Sequence, residues 1–140
     1  MTGERVTGIG VDIVDIPRMD RALKRWGDRF VARVFTVAEV DYSRRSRRPA
    51  QHFSARFAAK EAVIKALGQG FRGGCQMSEI EVVAGELGRP LVRLHGATRR
   101  LAVSRGVENI FLSLSHSEKA AVAQAVAVGR AGEVGEEHAI

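Results

Sequence analysis

The residues best suited to chemistry lie in two apolar stretches of the sequence. One stretch reads R-F-A-A-K-E-A-V-I-K-A-L-G and carries its charges within about two and a half helical turns, at Arg56, Lys60, Glu61 and Lys65. The other reads V-T-G-I-G-V-D-I-V-D-I and contains Asp12. Magnesium is usually held by one or two carboxylates and substrate phosphates, and phosphates attract lysine and arginine. Together these residues predict a phosphoryl-transfer site.

Each of these charges also has a structural explanation. Asp12 could lie at an exposed strand edge or cap the following turn, because an unpaired buried carboxylate is costly. Glu61 and Lys65 could form a surface ion pair worth only a few tenths of a kcal/mol. Lys60 falls on the apolar stripe, so its ammonium must reach solvent or find a partner. The charges alone therefore leave a structural and a catalytic interpretation open.

His116 ends a strand on the face that carries apolar residues. It could be a partly buried structural histidine or a phosphate contact. A serine hydrolase is disfavoured because the sequence lacks G-x-S-x-G and offers no orienting acid. A G-x-G-x-x-G match at Gly68, Gly70 and Gly73 follows a helix rather than a strand, which argues against a dinucleotide-binding turn.

Composition favours one globular domain. The chain has 140 residues, of which 45% are hydrophobic and 27% charged. No apolar run approaches the roughly 20 residues of a membrane span, and the first residues lack a secretory pattern, so we expect a cytoplasmic protein. Cys75 is the lone cysteine of the sequence, which excludes an intrachain disulfide and a cysteine-based zinc cluster.

The net charge of +6 is concentrated in the first 60 residues, which hold 13 Lys and Arg against 7 Asp and Glu. An acidic protein, an anionic substrate or nucleic acid could each use this excess. Part of it lies in the run S-R-R-S-R-R-P at residues 43–49, for which a solvated loop is the commoner explanation.

The chain is predicted to begin with a strand at residues 6–16, followed by a helix that Pro17 opens. Gly27 is expected to end this helix. Its spacing predicts an inner apolar stripe formed by Met19, Leu23 and Trp26.

Two further helices are predicted next. Thr36 and Glu39 have the spacing of a capping box, which starts a short helix through Tyr42. After the basic loop, apolar spacing over residues 50–68 predicts the longest helix of the chain.

The second half of the sequence alternates strands with one helix. A hairpin is predicted from residues 80–84 and 91–94, a helix at 98–103, and strands at 110–116 and 120–128. The last strand is nearly all apolar, which suits either the core or a subunit interface.

This order is not a regular β-α repeat, so we predict an α+β fold. A mostly antiparallel sheet would pack against one long helix and shorter helices. The domain is expected to span residues 1–128, with a flexible tail at 129–140.

Three motifs, in their order and spacing, resemble the holo-acyl carrier protein synthase family, the short bacterial 4'-phosphopantetheinyl transferases. They are the two stretches quoted above and L-S-L-S-H-S-E-K-A-A-V-A-Q-A-V, and the resemblance covers residues 6–128. It implies the 4'-phosphopantetheinyl transferase fold. It also implies transfer of 4'-phosphopantetheine from coenzyme A to a serine hydroxyl of apo-acyl carrier protein, releasing adenosine 3',5'-bisphosphate, for fatty acid biosynthesis.

The same resemblance implies Mg2+ as cofactor, coenzyme A as co-substrate, and a homotrimer with active sites between subunits. By motif position, Asp12 and Glu61 correspond to metal ligands and form the catalytic set with Lys65. Arg56 and Lys65 would contact coenzyme A phosphates, and His116 would lie near the nucleotide. Glu61 or a water held by the metal could take the serine proton.

The first predicted helix gains a role from the same resemblance. Its basic residues cluster within two turns, at Arg18, Arg21, Lys24 and Arg25. Acyl carrier proteins are acidic, so we expect this cluster to dock the carrier.

The main alternative is a nonenzymatic nucleic-acid-binding domain, motivated by a pI of about 10.4 and by the basic loop. Only 6% of the residues are aromatic, and no nucleic-acid-binding motif is recognisable. A catalytically silent homologue that serves as an interaction module stays open as a third interpretation. We expect neither a nucleic acid nor a membrane as partner.

Overall fold

A computed structural model describes residues 3–68 and 74–130 of the chain. Its helices and strands, in chain order, are β1 (Arg5–Asp15), α1 (Ile16–Val34), α2 (Val37–Arg44), α3 (Pro49–Leu67), β2 (Ile80–Ala84), β3 (Pro90–Leu94), α4 (Gly96–Ser104), β4 (Val107–His116) and β5 (Ala120–Gly129). The predicted α+β class is confirmed, and its elements lie close to their predicted positions.

The strands form two antiparallel sheets rather than the single sheet that we predicted. β5 is the central strand of the larger sheet, between β1 and β4. β2 and β3 form a separate hairpin. β1 and β4 occupy both hydrogen-bonding edges of β5, so the hairpin cannot extend the larger sheet at that strand.

The core lies between this larger sheet and α3. Alternate residues of β5 point inward and are fully buried, at Ala121, Ala123, Ala125 and Ala127. They meet a helix face that is also rich in buried alanine, including Ala58 and Ala62. These small side chains let the helix and the sheet backbone approach closely, which fixes α3 across the sheet.

α1 begins as predicted but continues past its predicted end. Asp15 caps it by accepting a hydrogen bond from the Arg18 backbone N–H at 3.0 Å. Gly27 breaks the helical conformation, with φ at 58°, and the chain then resumes the helix as far as Val34. Trp26 lies at this break and is 59% exposed, so its predicted place on the inner stripe is wrong.

The second and third helices were predicted more closely. The capping box of Thr36 and Glu39 is confirmed, and α2 runs two residues past Tyr42. α3 ends where Gly68 adopts a left-handed conformation, with φ at 77°. Its 19 residues make it the longest uninterrupted helix among the described residues, as predicted, since the 19 residues of α1 are divided at Gly27.

Two sequence predictions fall beyond the described ranges in whole or in part. Most of the predicted tail lies there, since the described residues end at position 130, one residue after β5. Gly70 and Gly73 of the glycine match also lie outside the described residues. Among the residues that the structure does describe, none of the helices is long and apolar enough to cross a membrane.

Candidate active site

β1 lies directly on α3 because two glycines allow the backbones to touch. A Cβ atom at Gly10 would lie 1.9 Å from the carbonyl oxygen of Ala62, and one at Gly8 would lie 1.8 Å from that of Ala66. Two strand residues span about 7 Å and four helix residues about 6 Å, so every second residue of β1 lies opposite every fourth residue of α3. The next residue on this strand face, Asp12, is therefore carried to the part of α3 that precedes Ala62.

Lys65 is the cation that contacts Asp12. Its Nζ lies 3.2 Å from Asp12 Oδ1 and donates a hydrogen bond to the backbone carbonyl of Val11 at 2.9 Å. The Lys65 side chain is half exposed, whereas only 19% of the Asp12 side chain is accessible. Asp12 is thus a partly buried carboxylate with a half-exposed cationic neighbour, rather than a solvated strand-edge residue.

Glu61 completes this cluster. Burial raises the pKa of its carboxyl, and the charge of Asp12 raises that pKa further, while Lys65 opposes both effects. The Asp12 carboxylate thus adds an unfavourable like-charge interaction to the cost of burying Glu61. A cation bound between them would relieve this repulsion.

These three side chains line one open groove of about 770 Å³. β1, the first turns of α1 and one face of α3 form its walls. Arg18 lies on its α1 side and Phe57 on its α3 side, so the groove has a cationic border and an apolar wall. It is wide enough to admit part of a substrate beside the carboxylates.

The donor set of this groove fits a magnesium ion bound with a phosphate substrate. Within residues 3–68 and 74–130, no three or more His, Cys, Asp or Glu side chains form a metal-ligating cluster. Two carboxylates, Asp12 and Glu61, are nevertheless what a Mg2+ ion needs when substrate phosphates and waters fill its other positions. Lys65 can then shift from Asp12 toward the phosphates, since its side chain is half exposed.

Arg56 and His116 do not join this cluster but line a second, smaller cavity of about 240 Å³. The Arg56 guanidinium lies 4.1 Å from the centre of the Tyr42 ring and is almost fully buried, and its Nε has no hydrogen-bond partner among the described residues. His116 Nε2 lies 3.1 Å from the side-chain amide of Gln51. A buried, incompletely paired guanidinium beside a histidine is suited to an anionic ligand.

The separation of the two cavities follows from helix geometry. Arg56 and Glu61 are five residues apart, which turns their side chains about 140° from each other around the α3 axis. The two cavities share no lining residue among those described. Arg56 and Glu61 therefore face different sides of α3 within one chain.

Lys60 lies between these two faces and points into the core. Its side chain is fully buried and donates to Glu39 Oε1 at 2.6 Å, to the Met77 carbonyl at 2.9 Å and to the Ile80 carbonyl. Burial lowers the pKa of Lys60, and the Glu39 carboxylate opposes that change. Glu39 Oε2 also accepts the Val82 backbone N–H at 2.8 Å. Lys60 was predicted to need solvent or a partner, and its partner is Glu39. This ion pair fixes α3 against α2 and β2.

Sequence reasoning missed several residues of the second cavity. Tyr42 packs against both Arg56 and His52, with a distance of 5.5 Å between the Tyr42 and His52 rings. Burial lowers the pKa of His52, and the charges of Arg56 and His116 lower it further. Tyr42 lies on α2 and His52 on α3, so no local spacing in the sequence indicates that they meet.

The predicted docking residues lie where expected, on the outer side of α1. Arg18, Arg21, Lys24 and Arg25 are all exposed. Lys24 pairs with Asp20 at 2.9 Å, and the Arg25 guanidinium lies 4.9 Å from the centre of the Trp26 ring. Arg18 also borders the carboxylate groove, so the basic surface begins at the candidate active site.

Comparisons with known proteins agree with this fold. A model of the 4'-phosphopantetheinyl transferase superfamily matches residues 8–126. The holo-[acyl-carrier-protein] synthase of Desulforudis audaxviator (strain MP104C) is 48% identical over 124 residues, covering 89% of this chain and 94% of that protein.

Two solved structures have the same fold. The holo-[acyl-carrier-protein] synthase of Neisseria meningitidis superposes with a TM-score of 0.82 at 33% identity, over 88% of this chain and 98% of the other. The Helicobacter pylori synthase in complex with coenzyme A gives a TM-score of 0.75 at 26% identity, over 85% and 98%.

The chain therefore belongs to the 4'-phosphopantetheinyl transferase superfamily. Within that superfamily, the relatives that it matches over most of their length are holo-[acyl-carrier-protein] synthases. The resemblance drawn from the three sequence motifs is confirmed.

Proposed function

We propose that the protein is a holo-acyl carrier protein synthase. It transfers 4'-phosphopantetheine from coenzyme A to a serine hydroxyl of an apo-acyl carrier protein for fatty acid biosynthesis, and adenosine 3',5'-bisphosphate leaves. The observation that carries the proposal is the convergence of Asp12, Glu61 and Lys65 in one groove of a chain from this superfamily.

Asp12 and Glu61 would hold a Mg2+ ion, which when bound neutralises charge on the substrate phosphates. Their mutual repulsion in the groove favours a cation there. Lys65 would leave Asp12 and pair with a phosphate oxygen, orienting the pyrophosphate group of coenzyme A for attack. Because this substrate carries several negative charges, positioning and charge neutralisation supply most of the catalysis.

Glu61 would take the serine proton, because its carboxylate lines the groove beside Asp12 and Lys65. In the proposed step the serine oxygen bonds to the β-phosphorus and its proton passes to a Glu61 oxygen. The bond from that phosphorus to the bridging oxygen breaks, and the adenosine bisphosphate carries the electron pair away. Removing Glu61 would therefore remove both a metal ligand and a base.

Arg56 and His116 would bind the nucleotide of coenzyme A from their separate cavity. The almost completely buried guanidinium of Arg56, held against Tyr42, is a fixed cation for a phosphate. Because this cavity faces away from Glu61 within one chain, one coenzyme A would contact the groove of one copy and the nucleotide cavity of a neighbour. Active sites would then lie at subunit interfaces.

An exposed apolar sheet face supports assembly into a homotrimer. Large side chains on the outer face of the β1-β5-β4 sheet are each more than half exposed, at Ile9, Val11, Ile13 and Phe111. The register aligns Ile9 with Val126 of β5, and Val126 with Phe111 of β4, so these residues form one continuous surface. A surface of this kind is typical of a protein interface.

The outer side of α1 would dock the carrier protein, as its charge predicts. Arg18, Arg21 and Arg25 would steer an acidic partner toward the groove, which Arg18 borders. Lys24 would contribute less, since it is already paired with Asp20. The proposal places this reaction in the cytoplasm.

The nucleic-acid-binding alternative is not supported. Part of the basic loop that motivated it is neutralised, because Arg44 pairs with Asp28 at 2.9 Å and Arg45 pairs with Asp41. These ion pairs reduce the unpaired positive charge that a phosphate backbone would require.

The test is incubation of the purified protein with coenzyme A, Mg2+ and an apo-acyl carrier protein, with and without EDTA. The intact mass of the carrier should rise by one phosphopantetheine group, and the chelator should abolish the gain. An unmodified carrier across several apo-carriers, with a folded protein, would refute the proposed activity. A gain that persists in EDTA would refute the metal assignment alone.

A further inference from the structure

α1 has two faces with different surroundings. Met19 is buried and Leu23 packs against the core, so this side of the helix faces inward. Arg18, Arg21 and Arg25 recur at intervals of three and four residues on the opposite, exposed side. Trp26 follows Arg25 and ends the first helical segment at the Gly27 break, and it too faces solvent.

Trp26 is an exposed aromatic residue surrounded by basic side chains. A shallow depression of about 520 Å³ is lined by Trp26, Ala22 and basic residues of α1. Val37 and Leu87 are more exposed than Trp26 but line no cavity described for this chain. A ring among cations offers a partner apolar contact and charge in the same place.

The Trp26 depression is continuous with the candidate active site. Arg18 and Ala22 line both the depression and the carboxylate groove. From Arg18 to Trp26 the helix rises about 12 Å. A protein seated on this face could therefore extend an acceptor serine into the groove while its body stays on α1.

We infer that Trp26 is the apolar anchor of acceptor docking, with the Arg25 guanidinium stacked over its ring as the charged part of the same contact. This inference rests on the proposed function for the identity of the acceptor. The partner that fits is an acidic protein that presents an apolar side chain among its carboxylates. Tryptophan and arginine are the residue types that most often dominate binding energy at protein interfaces.

The expected effect of Trp26→Ala is selective. Loss of an interface anchor typically weakens binding about 30-fold, so the Michaelis constant for the carrier should rise by that factor. The turnover number and the Michaelis constant for coenzyme A should stay unchanged, because Trp26 lines neither of the two candidate substrate cavities. Trp26→Phe should recover part of the loss.

Val37→Ala is the matched control. Val37 is 87% exposed on α2 and, like Trp26, loses apolar side-chain surface on truncation. Its kinetic constants should equal those of the unmodified protein. A similar rise in the carrier Michaelis constant for both variants would overturn the assignment of Trp26.

Binding can also be read without mutation, because Trp26 is the lone tryptophan of the sequence. Titration with a carrier that lacks tryptophan should shift its emission to shorter wavelength and protect it from acrylamide. This neutral quencher avoids attraction to the basic surface. An unchanged spectrum and unchanged quenching at carrier concentrations that saturate turnover would overturn the docking inference while leaving the proposed function intact.

Failure of the proposed function gives a different pattern. If the carrier gains no mass but Trp26 emission shifts and its quenching falls, docking stands and transfer does not. If neither the carrier mass nor the Trp26 fluorescence changes with an acidic carrier, the proposed transfer and the docking inference are both wrong. The Trp26→Ala variant, tested for loss of carrier binding by sedimentation, then separates a local contact from a remote effect on the fluorescence.

Discussion

A methyl group added at Gly10 would test whether the contact between β1 and α3 positions the candidate metal ligands. In Gly10→Ala the new Cβ would start 1.9 Å from the Ala62 carbonyl oxygen and 2.9 Å from the Ala66 nitrogen. Both are backbone atoms of α3, so no side-chain rotation can make room. Ordinary contact begins near 3.4 Å, so the strand and the helix must separate by about 1.5 Å.

This separation should reduce both stability and activity. Overpacking against backbone costs about 3 kcal/mol, and a domain with about 5–15 kcal/mol of stability remains largely folded after that loss. Asp12 follows Gly10 by two residues, whereas Glu61 and Lys65 lie on α3, so the change moves one ligand away from its partners. Misplacement by about 1 Å can lower a rate about 100-fold, which is the loss that we expect.

The assay is the initial rate of carrier mass gain per folded molecule, with the folded fraction taken from urea unfolding. Gly3→Ala is the matched control, since a Cβ there would meet nothing within 4 Å. Gly8→Ala has a comparable clash, 1.8 Å from the Ala66 carbonyl oxygen, but lies farther from Asp12. It should lose similar stability and less activity.

Two results would refute this reasoning. If Gly10→Ala has the stability of Gly3→Ala, the two backbones are not in contact as described. If Gly10→Ala and Gly8→Ala lose stability and activity in the same proportion, the glycines contribute packing but do not set the position of Asp12.

Four further predictions follow from the same structure. Asp12→Ala and Glu61→Ala should each abolish Mg2+-dependent transfer while circular dichroism stays unchanged; near-normal transfer by either variant removes that residue from the site. Because the folded-state pKa of Glu61 is raised, metal-free stability should fall as pH rises through that pKa. Glu61→Gln should remove this loss and melt higher than the unmodified protein at neutral pH, and a lower melting temperature would contradict the shift. Lys60→Met should cost about 3–5 kcal/mol of unfolding free energy by urea titration, because the Glu39 carboxylate would stay buried without its cation; a loss below about 1 kcal/mol would show that the pair is not isolated from water. Ile9→Arg should give monomers by sedimentation with reduced transfer, and an unchanged assembly would exclude the outer sheet face as the interface.

Local signals in the sequence predicted local structure well. The Thr36 and Glu39 capping box and the Gly68 helix end depend on residues within one turn of each other, so their spacing is sufficient. The hairpin formed by β2 and β3 has the same property. The separation of this hairpin from the larger sheet cannot be predicted from local spacing, because it depends on which strands occupy the edges of β5.

The candidate site shows the same division. Asp12 and Lys65 were matched through a family motif, and their contact depends on a crossing of β1 over α3 that no spacing reveals. Glu39, the partner of Lys60, is 21 residues away along the chain, so a buried lysine could be predicted to need a partner without the partner being named. The position of Arg56 was predictable, since five residues along a helix turn a side chain well away from Glu61.

α3 can carry four charged residues and remain largely apolar because their side chains point in three different directions. Glu61 and Lys65 face the carboxylate groove, Lys60 is neutralised in the core by Glu39, and Arg56 lies against Tyr42 in the second cavity. Lys60 has a structural partner in Glu39, whereas the buried Arg56 guanidinium has, among the described residues, only the Tyr42 ring and one backbone carbonyl beside it. The arrangement fits a helix that two substrate regions use from opposite sides. Under the proposed function, a neighbouring copy would bring a groove and a nucleotide cavity together on one coenzyme A, and the exposed apolar sheet face would then support catalysis by holding the copies together.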